Sequence, residues 1–145
     1  MTLNQHVKIT AIASIPLIPF WSATQLILFA VGSILIDVDH YFLYIAHKMQ
    51  FDISGMFRFF HEIDTAEPPI PYAGICIFHT VDFFFLLSLV SIIYPSLLFL
   101  LIGAIFHFSL DLYDLRQKNS LHIRAYFIIE HFIRKRRYGV EYPFI

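Results

Sequence analysis

The stretch ITAIASIPLIPFWSATQLILFAVGSILI, from Ile9 to Ile36, decides how the chain is read. It holds 28 residues and no charge, which is about 42 Å as a single α-helix. A hydrocarbon core about 30 Å thick takes about 20 apolar residues. The stretch overruns one comfortable span and barely supplies two. Pro16 and Pro19 favour two, because proline removes a backbone donor and clashes with the preceding turn. Trp21 suits a membrane interface, and Ser22 is a strong N-cap. The expectation is two helices, about 4–18 and 22–40, joined by a tight turn. One long kinked span is the alternative.

The rest of the 145-residue chain fits the same environment. It is 58% hydrophobic and only 14% charged, where soluble domains carry about 25% charged residues. Its mean hydropathy is +0.68. Disorder is excluded by the abundance of apolar side chains. A disulfide scaffold is excluded by the single cysteine, Cys76. A net charge of −1 gives no footprint for nucleic acid. Further spans are expected at about 72–93 and 96–113, separated by the turn Tyr94-Pro95-Ser96. Residues 46–71 read as a polar loop, with a short helix near 53–60 and the breaker Pro68-Pro69-Ile70-Pro71. Residues 121–137 read as an amphipathic helix lying on the membrane surface. The predicted fold is all-α: a polytopic membrane bundle of about four membrane helices plus this C-terminal interfacial helix, in a single domain over 1–145.

Four spans place every lysine and arginine on one side, at positions 8, 48, 58, 116, 118, 124 and 134–137. The positive-inside rule makes that side cytoplasmic. No signal-peptide pattern opens the sequence. The expected location is a bacterial-type inner (plasma) membrane, with both termini cytoplasmic and membrane lipids as neighbours. The terminal Arg134-Lys135-Arg136-Arg137 cluster suits anionic headgroups.

The informative residues are the ionisable ones in apolar surroundings. An acid at the centre of a membrane helix costs about 2.5–3.5 kcal/mol on the insertion scale and needs a partner. Asp37 and His40 are i,i+3, His79 and Asp82 are i,i+3, and His107 and Asp111 are i,i+4, so each pair shares a helix face. His6 adds an imidazole on the first helix. On helical rise, His79 lies about 12 Å from Pro71 and His107 about 9 Å from Tyr113. That places all these groups in the cytoplasmic third of the bundle. Imidazole with carboxylate is the ligand set of zinc, or of manganese or iron in carboxylate-rich sites. Bundle cores build such sites from facing helices. One or two ions fit the number of ligands. A divalent ion with an open position makes water a nucleophile near neutral pH and stabilises charge on a phosphoester. The bland reading is a set of hydrogen-bonded polar helix ends. His61, Glu62 and Asp64 fall on the polar loop, where solvation is the default. Glu62, Asp64 and Asp82 are the candidates for moving protons. His47, His122 and His131 read as interfacial and unrelated.

At Asp37-Val38-Asp39-His40 and Gly103-x-x-x-His107-x-x-x-Asp111 the sequence resembles the YdjM-like family of inner-membrane metal-dependent hydrolases. That family carries an N-terminal His, a "P-D-I-D-H" ending the second helix, a downstream "T-H-S" and a late "H-x-x-x-D". The resemblance covers roughly residues 1–115. It implies metal-site roles for His6, Asp37, Asp39, His40, His79 with Thr80, His107 and Asp111. Ile36 stands where the family has proline. The family's second histidine, five residues before its "T-H-S" histidine, has no counterpart, since the nearest upstream histidine is His61.

Three functional classes compete. A metal-dependent hydrolase of a phosphoester or lipid headgroup uses the cluster as an ion site. A transporter of divalent metal or protons uses it as a relay and, with only four spans, needs a homo-oligomer. A haem bundle ligated by His79 and His107 is disfavoured by the adjoining carboxylates. A structural role would leave metal content insensitive to His107→Ala.

Overall fold

The computed structural model describes residues 3–67 and 70–138. Pro68 and Pro69 of the expected breaker lie outside them. The architecture is all-α apart from one two-residue strand pair. Helix α1 (Leu3–Ser14) ends in a 3-10 turn at Ile15–Leu17, where Pro16 removes the next helical donor. Helix α2 (Ala23–Leu35) starts on a capping box. The Ser22 hydroxyl accepts from the Gln25 N–H, and the Gln25 side chain accepts from the Ser22 N–H. The Ile9–Ile36 stretch is thus a hairpin. Thr10 and Ser33, 23 residues apart, join hydroxyls at 2.7 Å across it.

Helix α2 does not stop at residue 40. Ile36 and Asp37 stay in right-handed backbone, and α3 (Val38–Lys48) continues beyond them. The join is tightened, with His40 N–H bonded to the Asp37 carbonyl three residues back. Helix α4 (Ile53–Thr65) occupies most of the expected polar loop and is longer than the short helix foreseen there. Asp52 caps it through the Gly55 N–H at 2.6 Å. Tyr44, Phe59, Ile63, Ile70 and Ala73 form a small core beneath it.

The third helix departs most from the sequence reading. Helix α5 covers only Val81–Ile93. Residues 72–80 are extended, then turn through a 3-10 segment at Ile77–His79. The cause is tertiary. Strand β1 (Gly74–Ile75) pairs in parallel with β2 (Arg124–Ala125). Ala73 N–H bonds to the Ile123 carbonyl, and Val81 N–H to that of Tyr126. The expected 121–137 helix is divided for the same reason, into a 3-10 turn at Leu121–Ile123, β2, and α7 (Ile128–Tyr138).

Helix α6 (Leu97–Gln117) packs most extensively on α2, with α1 outside α2 and α5 outside α6. The α2–α6 crossing is close because it is lined with small residues. A Cβ on Gly32 would run into the Leu100 carbonyl oxygen, and one on Gly103 into that of Phe29. Close backbone approach through glycine is how helices associate where no hydrophobic force drives them together. At the hairpin end of this pair, Trp21 stacks edge-on against Phe29 and Phe99.

Ala23–Lys48 and Leu97–Gln117 are long and apolar enough to cross a membrane. Within the most apolar window of each, only 28% is buried inside the protein. Ile27, Leu35, Leu98, Ile102 and Ile105 are exposed.

Candidate metal centre

Two antiparallel helix pairs bring four segments to one end of the bundle. Asp37 comes from the α2–α3 join, His79 from the turn before α5, and His107 and Asp111 from adjacent turns of α6. His6, on the first turns of α1, lies behind them. His6, His79 and His107 are almost fully buried.

Each imidazole is oriented by its other nitrogen. His107 Nδ1 lies 2.7 Å from the Ser33 carbonyl oxygen. A carbonyl only accepts, so Nδ1 carries the proton and Nε2 presents a lone pair when the ring is neutral. His79 Nδ1 lies 3.1 Å from Asp39 Oδ2, which also accepts from the Phe78 N–H at 2.8 Å. That directs the His79 Nε2 lone pair the same way. Neither Nε2 has a hydrogen-bond partner. Instead both face carboxylate oxygens. His107 Nε2 is 3.2 Å from Asp37 Oδ1 and 3.8 Å from Asp111 Oδ2. His79 Nε2 is 3.6 Å and 3.5 Å from the same two atoms.

Lone pairs facing carboxylate oxygens at these distances are relieved by a proton on Nε2 or by a cation between them. Zinc–ligand bonds of about 2.0–2.1 Å give a tetrahedron with edges of about 3.3–3.4 Å. The four edges above run from 3.2 to 3.8 Å. Asp37 and Asp111 carry two negative charges towards a divalent ion, and Arg124 also pairs with Asp111. The donors, their spacing and their orientation all fit a divalent ion.

The α2–α3 join explains how Asp37 and Asp39 serve one ring. Two residues apart on a regular helix, they would diverge by about 200°. Here Asp37 faces Nε2 of His79 and Asp39 faces Nδ1. His40 Nδ1 sits 3.2 Å from Asp37 and 3.1 Å from Asp39. Asp111 is held on its far side by His6 Nε2 at 3.2 Å, and His6 stacks on His107 at 4.0 Å.

A second grouping, Asp39, His40, Cys76 and His79, also brings its ligand atoms within 4.8 Å of one another. It shares His79 with the first. Filling it would cost the His79–Asp39 hydrogen bond. It would also require ionising the buried thiol of Cys76. The Asp37–His79–His107–Asp111 grouping is the better ion site.

No protein-family model, curated protein or solved structure matches the chain. The centre is therefore argued from its own geometry.

The structure brings together His6, Asp37, Asp39, His40, His79, His107 and Asp111. Of the three acids considered for proton transfer, it brings Asp64 to the cleft lined by Asp37, His40 and Asp111, and leaves Glu62 and Asp82 out of that lining. Asp82 accepts from the Ile128 N–H at 2.8 Å, tying α5 to the start of α7. It serves that backbone rather than sharing a face with His79, because His79 precedes the helix. Asp64 pairs with Lys118 at 2.7 Å. Glu62 is exposed on α4.

Two residues at the site escaped the sequence reading. Cys76 gave no signal beyond being a lone cysteine. Arg124 was counted only as a surface cation, yet it is buried, with Nη1 3.2 Å from Asp111 Oδ2. Burial opposes its charge, and the Asp111 carboxylate more than compensates, so its pKa is raised. The available clue was an isolated charge within the apolar run Leu121 to Ile129.

Proposed function

We propose that the protein is a membrane-embedded, metal-dependent hydrolase of a phosphoester, divergently related to the YdjM-like family. The observation that carries this reading is the convergence of two unpartnered imidazole Nε2 atoms and two carboxylates on one buried point. That point borders an open cleft of about 510 Å³, which Asp37, His40 and Asp111 help to line. Zinc suits the donor set and its near-tetrahedral spacing, with manganese or iron as alternatives.

Outward-facing apolar residues on α2 and α6 support a membrane setting, as does the collection of Lys and Arg near the site end. Helices α1 and α5 are shorter than a full span. The backbone that completes their depth, residues 72–80, is mostly buried in protein, which is where non-helical backbone is tolerated in a bilayer. Four crossings put the site on the cytoplasmic side of an inner membrane, at headgroup depth.

When bound, the ion would supply Lewis-acid activation of water and stabilisation of developing charge. The residues do the rest. Ser33 and Asp39 hold the two imidazoles in the ligating tautomer. His6 and Arg124 fix Asp111. His40, beside both Asp37 and Asp39 and bordering the cleft, is the group placed to take or give a proton there.

The test is metal analysis and phosphoesterase assay on wild type, Asp37→Ala and His107→Ala. The reading expects about one divalent ion per chain, turnover of a phosphoester, and loss of both in each variant. Bound metal without turnover across phosphoesters, together with metal-dependent flux into proteoliposomes, would replace it with a transporter.

A further inference from the structure

Arg124 does more than hold Asp111. The residue is 6% exposed. The guanidinium carbon sits 5.7 Å from the Phe108 ring centroid and 5.9 Å from that of Tyr126, so two aromatic faces fix its plane. Only Nη1 is engaged, by Asp111 at 3.2 Å. Nε and Nη2 are buried with no hydrogen-bond partner. A buried charged donor left unsatisfied carries the largest penalty of any polar group. Guanidinium presents its donors as a planar fork that matches two oxygens of one oxyanion.

Arg124 lines the same cleft as Asp37 and Asp111. The walls leading away from this polar end are largely apolar, with Leu35, Val38, Met56, Phe57, Phe60 and Ile63, and also carry Asp64, Asp114 and Lys118. Its volume of about 510 Å³ falls within the range of sites that bury most of a small ligand. An anion-gripping fork at one end of an apolar trough matches an amphiphile with one anionic head.

We propose that Arg124 and the adjoining cleft bind a monoacyl phosphoester, with its phosphoryl group on the guanidinium and the acyl chain along the cleft between α3 and α4. This deepens the hydrolase reading and rests on it for the chemistry after binding; the binding itself is measurable alone.

The experiment measures dissociation constants for monoacylglycerol phosphate, glycerol phosphate and the matching fatty acid. Full-length protein in detergent is used, both metal-loaded and chelator-treated. Wild type should bind monoacylglycerol phosphate at least about tenfold more tightly than either other probe. Arg124→Gln should weaken both phosphates by about tenfold or more, and Arg124→Lys should restore part of that loss, since it keeps the charge without the fork. Met56→Trp, which fills the cleft, should weaken only the acyl-bearing phosphate. Met56→Trp should keep its metal stoichiometry. Equal binding of the fatty acid, or phosphate affinity indifferent to both Arg124 variants, would overturn the proposal. So would acyl-phosphate binding indifferent to Met56→Trp. If Arg124→Gln fails to fold, the other two variants decide. Absence of metal in wild type would sink the hydrolase and leave these binding results to stand by themselves.

Discussion

His107 Nδ1 meets the Ser33 carbonyl at 2.7 Å while its Nε2 faces Asp37 Oδ1 at 3.2 Å. The first contact puts a proton on Nδ1, so the second sets two lone pairs against each other unless Nε2 is protonated as well or a cation lies between. Removing the ion should therefore destabilise the fold. Ligand held only by the folded state stabilises by about 2.7 kcal/mol at a hundred times its Kd. Chelator should lower the thermal midpoint of wild type by several degrees, and zinc should restore it. His107→Ala should melt at one temperature with or without chelator. A chelator-insensitive wild type would contradict the ion site.

Asp39 touches the ring of His79 on the side away from the ion site. Orienting carboxylates of this kind are worth about 10- to 100-fold in metal affinity. Asp39→Asn should weaken zinc by that much in a competition titration while leaving helicity intact. Asp82→Asn should leave zinc affinity unchanged, because Asp82 serves the Ile128 N–H. Equal effects of the two variants would mean that Asp39 has no orienting role.

The α2–α6 crossing depends on Gly32 and Gly103 lying against backbone carbonyls of the facing helix. Neither carbonyl can retreat without breaking its own helix. Overpacking usually costs about 1–3 kcal/mol, and a backbone obstacle places these sites at the upper end. Gly103→Val and Gly32→Val should lower the unfolding midpoint in detergent and release bound metal, since the same crossing sets His107 against Ser33. Unchanged melting would show that the helices do not pack this closely.

A pH effect is expected away from the ion site. Tyr72 Oη and His131 Nδ1 meet at 2.6 Å. A phenol keeps its proton near neutral pH, so the Tyr72 hydroxyl donates to the neutral imidazole. Burial and then Lys135 lower the His131 pKa from 6.5. Arg134, stacked on the Tyr72 ring, adds further positive charge, and Glu130 opposes it. A base whose pKa is lowered by folding binds more protons unfolded. The contact therefore contributes fully above 6.5 and is lost as pH falls from 6.5 towards the folded value. Hydrogen exchange in α7 should accelerate over that interval in wild type, and His131→Gln should remove the dependence. Exchange that slows on acidification would reverse the assignment.

Several elements were legible from residue order because they rest on local chemistry. Pro16, Pro19 and Ser22 mark the hairpin, since ring closure and capping act within one turn. The His107–Asp111 and Asp37–His40 spacings show through helical periodicity. Other elements had no local sign. Residues 72–80 looked like the start of a third span because they are apolar, and only pairing with 124–125 makes them extended. That pairing moves His79 off the helix and separates it from Asp82. Asp37 and Asp39, two residues apart, would diverge on a regular helix, and the tightened α2–α3 join turns both towards one ring.

Composition and periodicity by themselves determined an all-helical chain with apolar helices and a set of imidazoles and carboxylates gathered near one end. Which nitrogen faces inward, which acids serve backbone amides instead, and that Arg124 enters the core were decided only by tertiary structure. Helical propensity and hydropathy act over a few neighbouring residues. A coordination sphere depends on angles between side chains whose segments meet from as far apart as positions 37 and 111, and those angles exist only once the helices have crossed.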